Sequence, residues 1–482
     1  MHSDVAGCTL APVENPRVRH DIISFGPLMS DQKETNMRSD WMKAGILAVV
    51  LALSVSLRVA SASGQDEQVG SGNPQAVHAR ALAEFKAARF GMFIHWGLYS
   101  MPARGEWEMQ VHHVPSDVYA QYMSQFNPTE WNADRVVEVA ERAGMKYIDI
   151  TTKHHDGFCM FDSQLTDYKI TNTPFHRDVI REFVDACHRH GIKIIFYYSL
   201  LDWHHPDYVA DPEQAGSSWA VLHRHNTSAD WNRYLAYYQG QVKELLTNYG
   251  HIDGILFDGG WNRTDWHVWK LDETFAMIHQ LQPWALINNH DSFKRTPPGE
   301  DYESPEQNYE SESNLLIEVC ATLNDNWGYN DSDTHFKSAE QLIHLLATSA
   351  GRGGNTNVNI GPMPNGDVQP DFVERLDSVG QWMRINGDSI YGTEKGPYQD
   401  AGSGTYFGTT TRKDNRVFLH VLNWPYKVLE VNSVNTPVKS AYFLQGHQSL
   451  KFRQENGHLT IDLPSGPPDP YDTVIVLEMA GS

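Results

Sequence analysis

The feature that most narrows the fold is a repeated unit: a short apolar run that closes on polar residues, followed by a helical pattern. The runs are GMFIHWG (91–97), Tyr147 to Thr152 leading into KHHDG, KIIFYYSL (193–200), IDGILFDGGW (252–261) and Trp284 to Asn289. Between them, residues 79–88, 134–143, 178–191, 230–249 and 271–281 carry helical periodicity. The third of these opens on an Asp cap and closes on Gly. Strands apolar throughout are buried on both faces, which with intervening helices means a parallel sheet. An open sheet gathers its site at one switch point, whereas a barrel converges every strand end on one mouth. Here polar residues close strand after strand: His95, His154, His155, Tyr197, Asp258 and Asn289. No GxGxxG or Walker A pattern competes with that reading. Further on come an acidic loop (301–312), a strand over 315–323, helices over 338–350 and 371–385, and a strand within GRGGNTNVNIGP (351–362). Past Tyr391 the pattern becomes short strands split by turn residues: 417–423, 439–444, 459–463 and 473–478. The expected architecture is a (β/α)8-like barrel over 78–390 followed by a small C-terminal antiparallel β-sandwich over 391–482.

The net charge of −22 over 482 residues argues against nucleic acid as a partner. Residues 1–36 lack hydrophobic periodicity and read as a disordered or untranslated extension. Met37 then opens a run with Arg38 and Lys43 ahead of an uncharged stretch, Ala44 to Leu57, and Ala60-Ser61-Ala62 resembles a cleavage site. Residues 37–62 are therefore predicted to be a signal peptide, too short for a comfortable membrane span, and 63–77 a polar linker. The expected location is secreted or periplasmic, with no stable membrane insertion after cleavage. An uncleaved signal anchor is the alternative. Of four cysteines, Cys8, Cys159, Cys187 and Cys320, the spacing matches no zinc or redox motif. Cys187 falls in a helical pattern and reads as core, and one disulfide among the last three is open.

Asp258 closes its strand before Gly-Gly. It is either an acid delivered to a barrel mouth or an Asx-turn residue, as Asp before Gly often is. Glycosidic cleavage uses two carboxyls. Candidates for the second are Glu300, Glu303, Glu306, Glu310 and Glu312 in the acidic loop, with Glu306 the first choice, and Glu106 beside Trp107. Acidic loops are more often solvated surface. His154-His155 and His204-His205 invite a metal reading, but adjacent strand residues point to opposite faces and no HExxH is present. Neutral histidines bonding sugar hydroxyls, or histidines satisfied in the barrel wall, fit better. Trp107, Tyr197, Trp203 and Trp261 are candidate platforms for a sugar's apolar face.

FGMFIHWGLYS (90–100), GEW (105–107), TTKHHDGFCMFDS (151–163), YYSLLDWHHPDY (197–208) and LFDGGW (256–261) occur in the order found in α-L-fucosidases of glycoside hydrolase family 29. WGYN (327–330) and GRGGNTNVNIGP (351–362) resemble that family's later signatures. The resemblance covers about residues 78–395. It implies a retaining hydrolase of terminal α-L-fucose on oligosaccharides or glycoconjugates, with no cofactor and no metal. In it Asp258 would be the nucleophile and Glu306 the acid/base; His95, Glu106, Trp107, His154, His155 and Tyr197 would bind the sugar. Three departures stand out. Leu256 replaces a frequent Trp, His290 replaces Arg after Asn288-Asn289, and Asn355 to Gly361 replaces a Leu-rich run ending in Asn-Ile-Gly. A related retaining glycosidase with another sugar preference, or a non-catalytic carbohydrate-binding barrel, stays open at this point.

Overall fold

A computed structural model describes residues 73–208, 229–290, 292–293, 296–309, 314–398 and 407–481. The readings of residues 1–62, Cys8, Glu310 and Glu312 lie outside them, as does most of the 63–77 linker. Its last residues already belong to helix α1 (Pro74–Ala88), which starts earlier than expected because Asn73 caps the Gln75 amide (3.1 Å) and Pro74 occupies the first turn.

Eight strands form one parallel sheet: β1 (Phe90–Ile94), β2 (Tyr147–Lys153), β3 (Lys193–Ser199), β4 (Gly254–Asp258), β5 (Leu286–Asn288), β6 (Tyr302–Glu303), β7 (Leu316–Thr322) and β8 (Asn355–Ile360). The ladder runs β5-β4-β3-β2-β1-β8-β7-β6. Its two ends meet: Asp301 N donates to Ile287 O (2.9 Å), Ile287 N to Asp301 Oδ2 (2.8 Å), and Asn288 Nδ2 to Tyr302 O (2.5 Å). The β6 strand lies inside the segment read as an acidic loop. Two residues are too few to show a period, so its register comes from Asp301 and not from an apolar run.

Alternation explains the uniformly apolar strands. Phe93, Tyr147, Ile195, Tyr197, Leu256, Leu286, Tyr302 and Cys320 fill the barrel, and Phe85 and Ala88 of α1 join them. Met92, Ile148, Ile150, Phe196, Ile255 and Phe257 belong to the second core, with the surrounding helices. Those helices are α2 (Ala133–Ala143), α3 (Val179–His190), α4 (Trp231–Asn248), α5 (Leu271–Leu281), α6 (Ala339–Arg352) and α7 (Pro370–Asn386). Asp178 and Gly191 cap α3 as expected, and Cys187 is core. The three described cysteines are buried free thiols.

The last third forms a five-stranded antiparallel sheet, β13-β16-β11-β10-β9, and a three-stranded one, β12-β15-β14. The strands are β9 (Glu394–Lys395), β10 (Gly408–Lys413), β11 (Arg416–Val421), β12 (Val428–Val431), β13 (Val438–Phe443), β14 (Phe452–Glu455), β15 (His458–Asp462) and β16 (Thr473–Met479). Leu419, Leu477 and Ile475 pack with Leu429, Leu459 and Ile461 between the sheets, while Phe418, Val474 and Val476 turn to the barrel's helical core. Trp382 Nε1 of α7 donates to Asp472 O (3.0 Å) across that contact. β9, β10, β12 and β14 escape a sequence reading because they are very short, threonine-rich or half polar.

The unusual asparagines of β8 meet a buried acidic pair. Asn357 stands beside Asp149 of β2 and Glu318 of β7 inside the barrel, and burial raises both carboxyls above their ordinary range. A carboxyl raised in the folded state holds a proton that the unfolded chain releases above about pH 4. Its stabilising contribution is therefore present at low pH and is lost as pH rises toward the folded value. Asp149→Asn is expected to melt at higher temperature than the wild type at pH 8, and at nearly the same temperature at pH 4. Parallel melting curves across that range would contradict this.

Candidate active site

Strand β4 ends on Asp258, and the next residue, Gly259, sits at φ +84°, where a side chain would be strained and its Cβ would meet Leu201 Cγ at 2.6 Å. The turn reading of Asp258 is half right: Oδ1 accepts from the Gly259 amide (2.6 Å). Its Oδ2 serves the barrel mouth, accepting from the Tyr197 hydroxyl (2.5 Å) and standing 3.6 Å from His155 Nε2. Burial raises the Asp258 carboxyl; the His290 side chain, the Tyr197 hydroxyl and the Gly259 amide pull it back, and Glu306 adds to the rise.

Both members of the His154-His155 pair face this pocket. The β2 register shifts between Thr151 and Lys153, the strand ends at Lys153, and a turn closed by Gly157 N to His154 O (3.0 Å) brings the rings to 4.2 Å. Gly157, at φ +79°, has Asp202 against the position a Cβ would take, and Asp202 in turn caps the His204 and His205 amides. Those two histidines therefore belong to the loop's scaffold; His204 stacks on Tyr168 at 3.9 Å.

The hydrogen bonds fix the tautomers. Ser199 Oγ donates to Leu201 O (2.9 Å), so it accepts from His155 Nδ1–H (2.6 Å) and His155 Nε2 carries the lone pair. Asn359 Nδ2 donates to Trp327 O (2.7 Å), so its Oδ1 accepts from His95 Nδ1–H (2.7 Å) and His95 Nε2 is likewise an acceptor. Burial lowers all three imidazoles, His95 to about 3, which keeps them neutral. Glu106 accepts from the Gly328 amide (2.7 Å), and burial raises its carboxyl. Trp107 leans on His155 (5.0 Å), on Trp203 (5.1 Å) and on Trp261 (6.5 Å). The mouth is thus lined with acceptors and aromatic faces, which suits a ligand rich in hydroxyl donors.

Glu306 arrives from the segment after β6, where Cys320 N bonds Pro305 O (3.0 Å) and Gln307 N bonds Cys320 O (2.7 Å). Half of its side chain is exposed, and Oε1 meets His290 Nε2 at 2.9 Å. Burial is the largest influence and pushes its carboxyl up, but the bond to His290 and the charges of the His290 and His95 rings together outweigh it, and the net direction is down. Glu300 instead accepts from the Asn289 amide (2.9 Å) and Glu303 from Thr296 Oγ1 (3.3 Å).

The structure thus brings together Asp258, Glu306, His95, Glu106, Trp107, His154, His155 and Tyr197. Sequence reasoning missed Ser199 and Asn359, which set the two tautomers, and Trp327, whose ring lies 5.1 Å from His95. It treated His290 only as a departure. Inward alternation along β3 and β8 would have flagged Ser199 and Asn359. Leu256 faces the barrel interior beneath Asp258, and Trp327 packs against that same inner cluster.

A family model described as alpha-L-fucosidase matches residues 58–388. The chain belongs to the α-L-fucosidases of glycoside hydrolase family 29. It is 28% identical over 416 residues to the tissue alpha-L-fucosidase of Homo sapiens, covering 80% of this chain and 86% of that protein. Alpha-L-fucosidase isoenzyme 1 from Paenibacillus thiaminolyticus superposes with a TM-score of 0.77 at 38% identity, over 84% of this chain and all of the other. The family 29 α-L-fucosidase of Bacteroides thetaiotaomicron gives 0.73 at 29% identity, over 83% and 95%. A covalent intermediate has been trapped in that enzyme with 2-fluoro-fucosyl fluoride, in a variant carrying glutamine in place of one glutamate.

Proposed function

We propose that the chain is an exported exo-glycosidase that removes terminal α-L-fucose from glycans by double displacement. The observation that carries this is the Asp258 carboxylate at the barrel mouth, tied on one oxygen by Gly259 and offered on the other between Tyr197 and His155, with Glu306 as a second carboxyl acting on it. Asp258 attacks the anomeric carbon while Glu306 gives its proton to the departing glycosidic oxygen. Glu306 then takes a proton from water, which attacks the fucosyl ester, releases Asp258 and returns the sugar with its original configuration. The acceptor nitrogens of His95 and His155 accept hydrogen bonds from the sugar's hydroxyls, and Glu106 and His154 complete the polar wall. Trp107, with Trp203 and Trp261, offers the apolar side on which fucose lays its methyl group. Tyr197 and the Gly259 amide stabilise the carboxylate as it leaves in the second step.

Incubation with 2-deoxy-2-fluoro-fucosyl fluoride, followed by peptide mapping, is expected to place one fluorofucosyl group on the peptide carrying Asp258. A label elsewhere, or none, would overturn the assignment. Export rests on the apolar segment 44–57 and the small residues 60–62. The same spectra read the N-terminus of protein recovered outside the cytoplasm. A chain retaining residues 44–57 there would refute cleavage.

A further inference from the structure

The histidine pairs that invite a metal reading by sequence are not where the ligands converge. Among the described residues, His78, His279 and Asp301 are the cluster whose ligand atoms all lie within 4.8 Å of one another. They come from three places on the barrel's N-terminal face, opposite Asp258: His78 from α1, His279 from the last turn of α5 and Asp301 from the residue just before β6. His78 Nε2 and Asp301 Oδ1 are 2.7 Å apart, and the two rings meet edge to face at 4.9 Å. His279 Nε2 is buried and makes no hydrogen bond among the described residues.

The carboxylate is also held from behind, as metal ligands are. Asp301 spends Oδ2 on the Ile287 amide (2.8 Å), which leaves Oδ1 to face the histidines. His78 Nδ1, like His279 Nε2, is buried and makes no hydrogen bond among the described residues. Without an ion this arrangement seats one hydrogen-bonded pair and leaves two buried imidazole nitrogens, one on each ring, without a hydrogen bond among the described residues.

We infer that His78, His279 and Asp301 form a structural site for a divalent transition ion of the zinc type. Two imidazole nitrogens and one carboxylate oxygen suit such an ion better than magnesium or calcium, with water at the fourth position. Tetrahedral bonds of about 2.1 Å hold ligand atoms roughly 3.4 Å apart, so from 2.7 Å His78 and Asp301 separate by about 0.7 Å while His279 closes in. The ion pins α1 beneath the barrel and locks the β5–β6 seam, which Asp301 and Asn288 help to close. It takes no part in sugar chemistry.

The test is zinc titration of untagged, chelator-stripped full-length protein, read by calorimetry, by bound metal after gel filtration and by melting temperature. The wild type should bind one ion and melt several degrees higher with zinc. His279→Ala and, separately, His78→Gln should bind at least tenfold more weakly and lose the zinc-dependent shift, while both hydrolyse an aryl α-L-fucoside at wild-type rate. Equal zinc affinity in wild type and both variants, or no binding by folded wild type at 100 µM zinc (about the level of a weak surface site), would overturn the site. Loss of aryl fucosidase activity on chelation alone would overturn the purely structural role. Because binding and melting are read without substrate, these outcomes are independent of the fucosidase assignment.

Discussion

Asp258→Gly should hydrolyse an aryl α-L-fucoside at least about a thousandfold more slowly than the wild type, a loss of roughly 4 kcal/mol of transition-state stabilisation. The size follows from the site. Oδ2 is the atom presented to the mouth between Tyr197, His155 and Gly259, and glycine leaves no group there to attack the anomeric carbon. The fold should survive. Burial raises this carboxyl, so its ionised form costs the folded state free energy near neutral pH, and removing it relieves that cost. The expected pair of results is therefore lost turnover with an unchanged or higher melting temperature. Added azide should enter the emptied space and attack the anomeric carbon of an activated fucoside, giving a fucosyl azide of inverted configuration. Wild-type turnover in Asp258→Gly would end the assignment of Asp258 as nucleophile.

The strand ends were legible because burial on both faces forces apolar runs, and each run stops where the chain meets the mouth. That logic reached Asp258, His95 and Tyr197 directly. The joint inward placement of His154 and His155 was less accessible, since strict alternation forbids it; the register shift at the end of β2 and the turn at Gly157 make it possible. The acid loop was the least legible part. Its solvated composition hides a two-residue strand and the backbone pairing with Cys320 that carries Glu306 to the pocket. Tautomers are set by partners distant in sequence, Ser199 for His155 and Asn359 for His95, and composition carries no trace of them. The zinc-type cluster was invisible for the same reason: its three ligands are spread from residue 78 to residue 301.

Glu306→Ala is expected to lose several orders of magnitude on a substrate whose leaving group needs protonation, and far less on a dinitrophenyl or fluoride donor. Azide should rescue the second step as a fucosyl azide of retained configuration. Rescue of Glu303→Ala in the same manner would move the role to Glu303, which accepts from Thr296 Oγ1. His290 makes the proton economy of this loop unlike that of an arginine-bearing site. Its imidazole bonds Glu306 at 2.9 Å, and its charge, when present, is the first influence opposing the burial of Asp258. The backbone holds it there: His290 sits at φ +44°, with its amide on Asn288 Oδ1 (2.6 Å), a left-handed position that a side chain occupies only when its surroundings fix it. The groups facing it are Glu306, Asp258, Glu318, His95 and His155. Removing a cation raises a carboxyl. In His290→Ala, Asp258 then ionises at higher pH and Glu306 keeps its proton to higher pH. Both limbs of the kcat/KM profile should therefore move toward alkaline pH together, since one reports the base that must be ionised and the other the acid that must be protonated. His290→Arg, charged at every pH, should hold both limbs at or below their wild-type positions. A profile in which His290→Ala shifts neither limb would reduce His290 to a packing residue and leave Glu306 governed by burial alone.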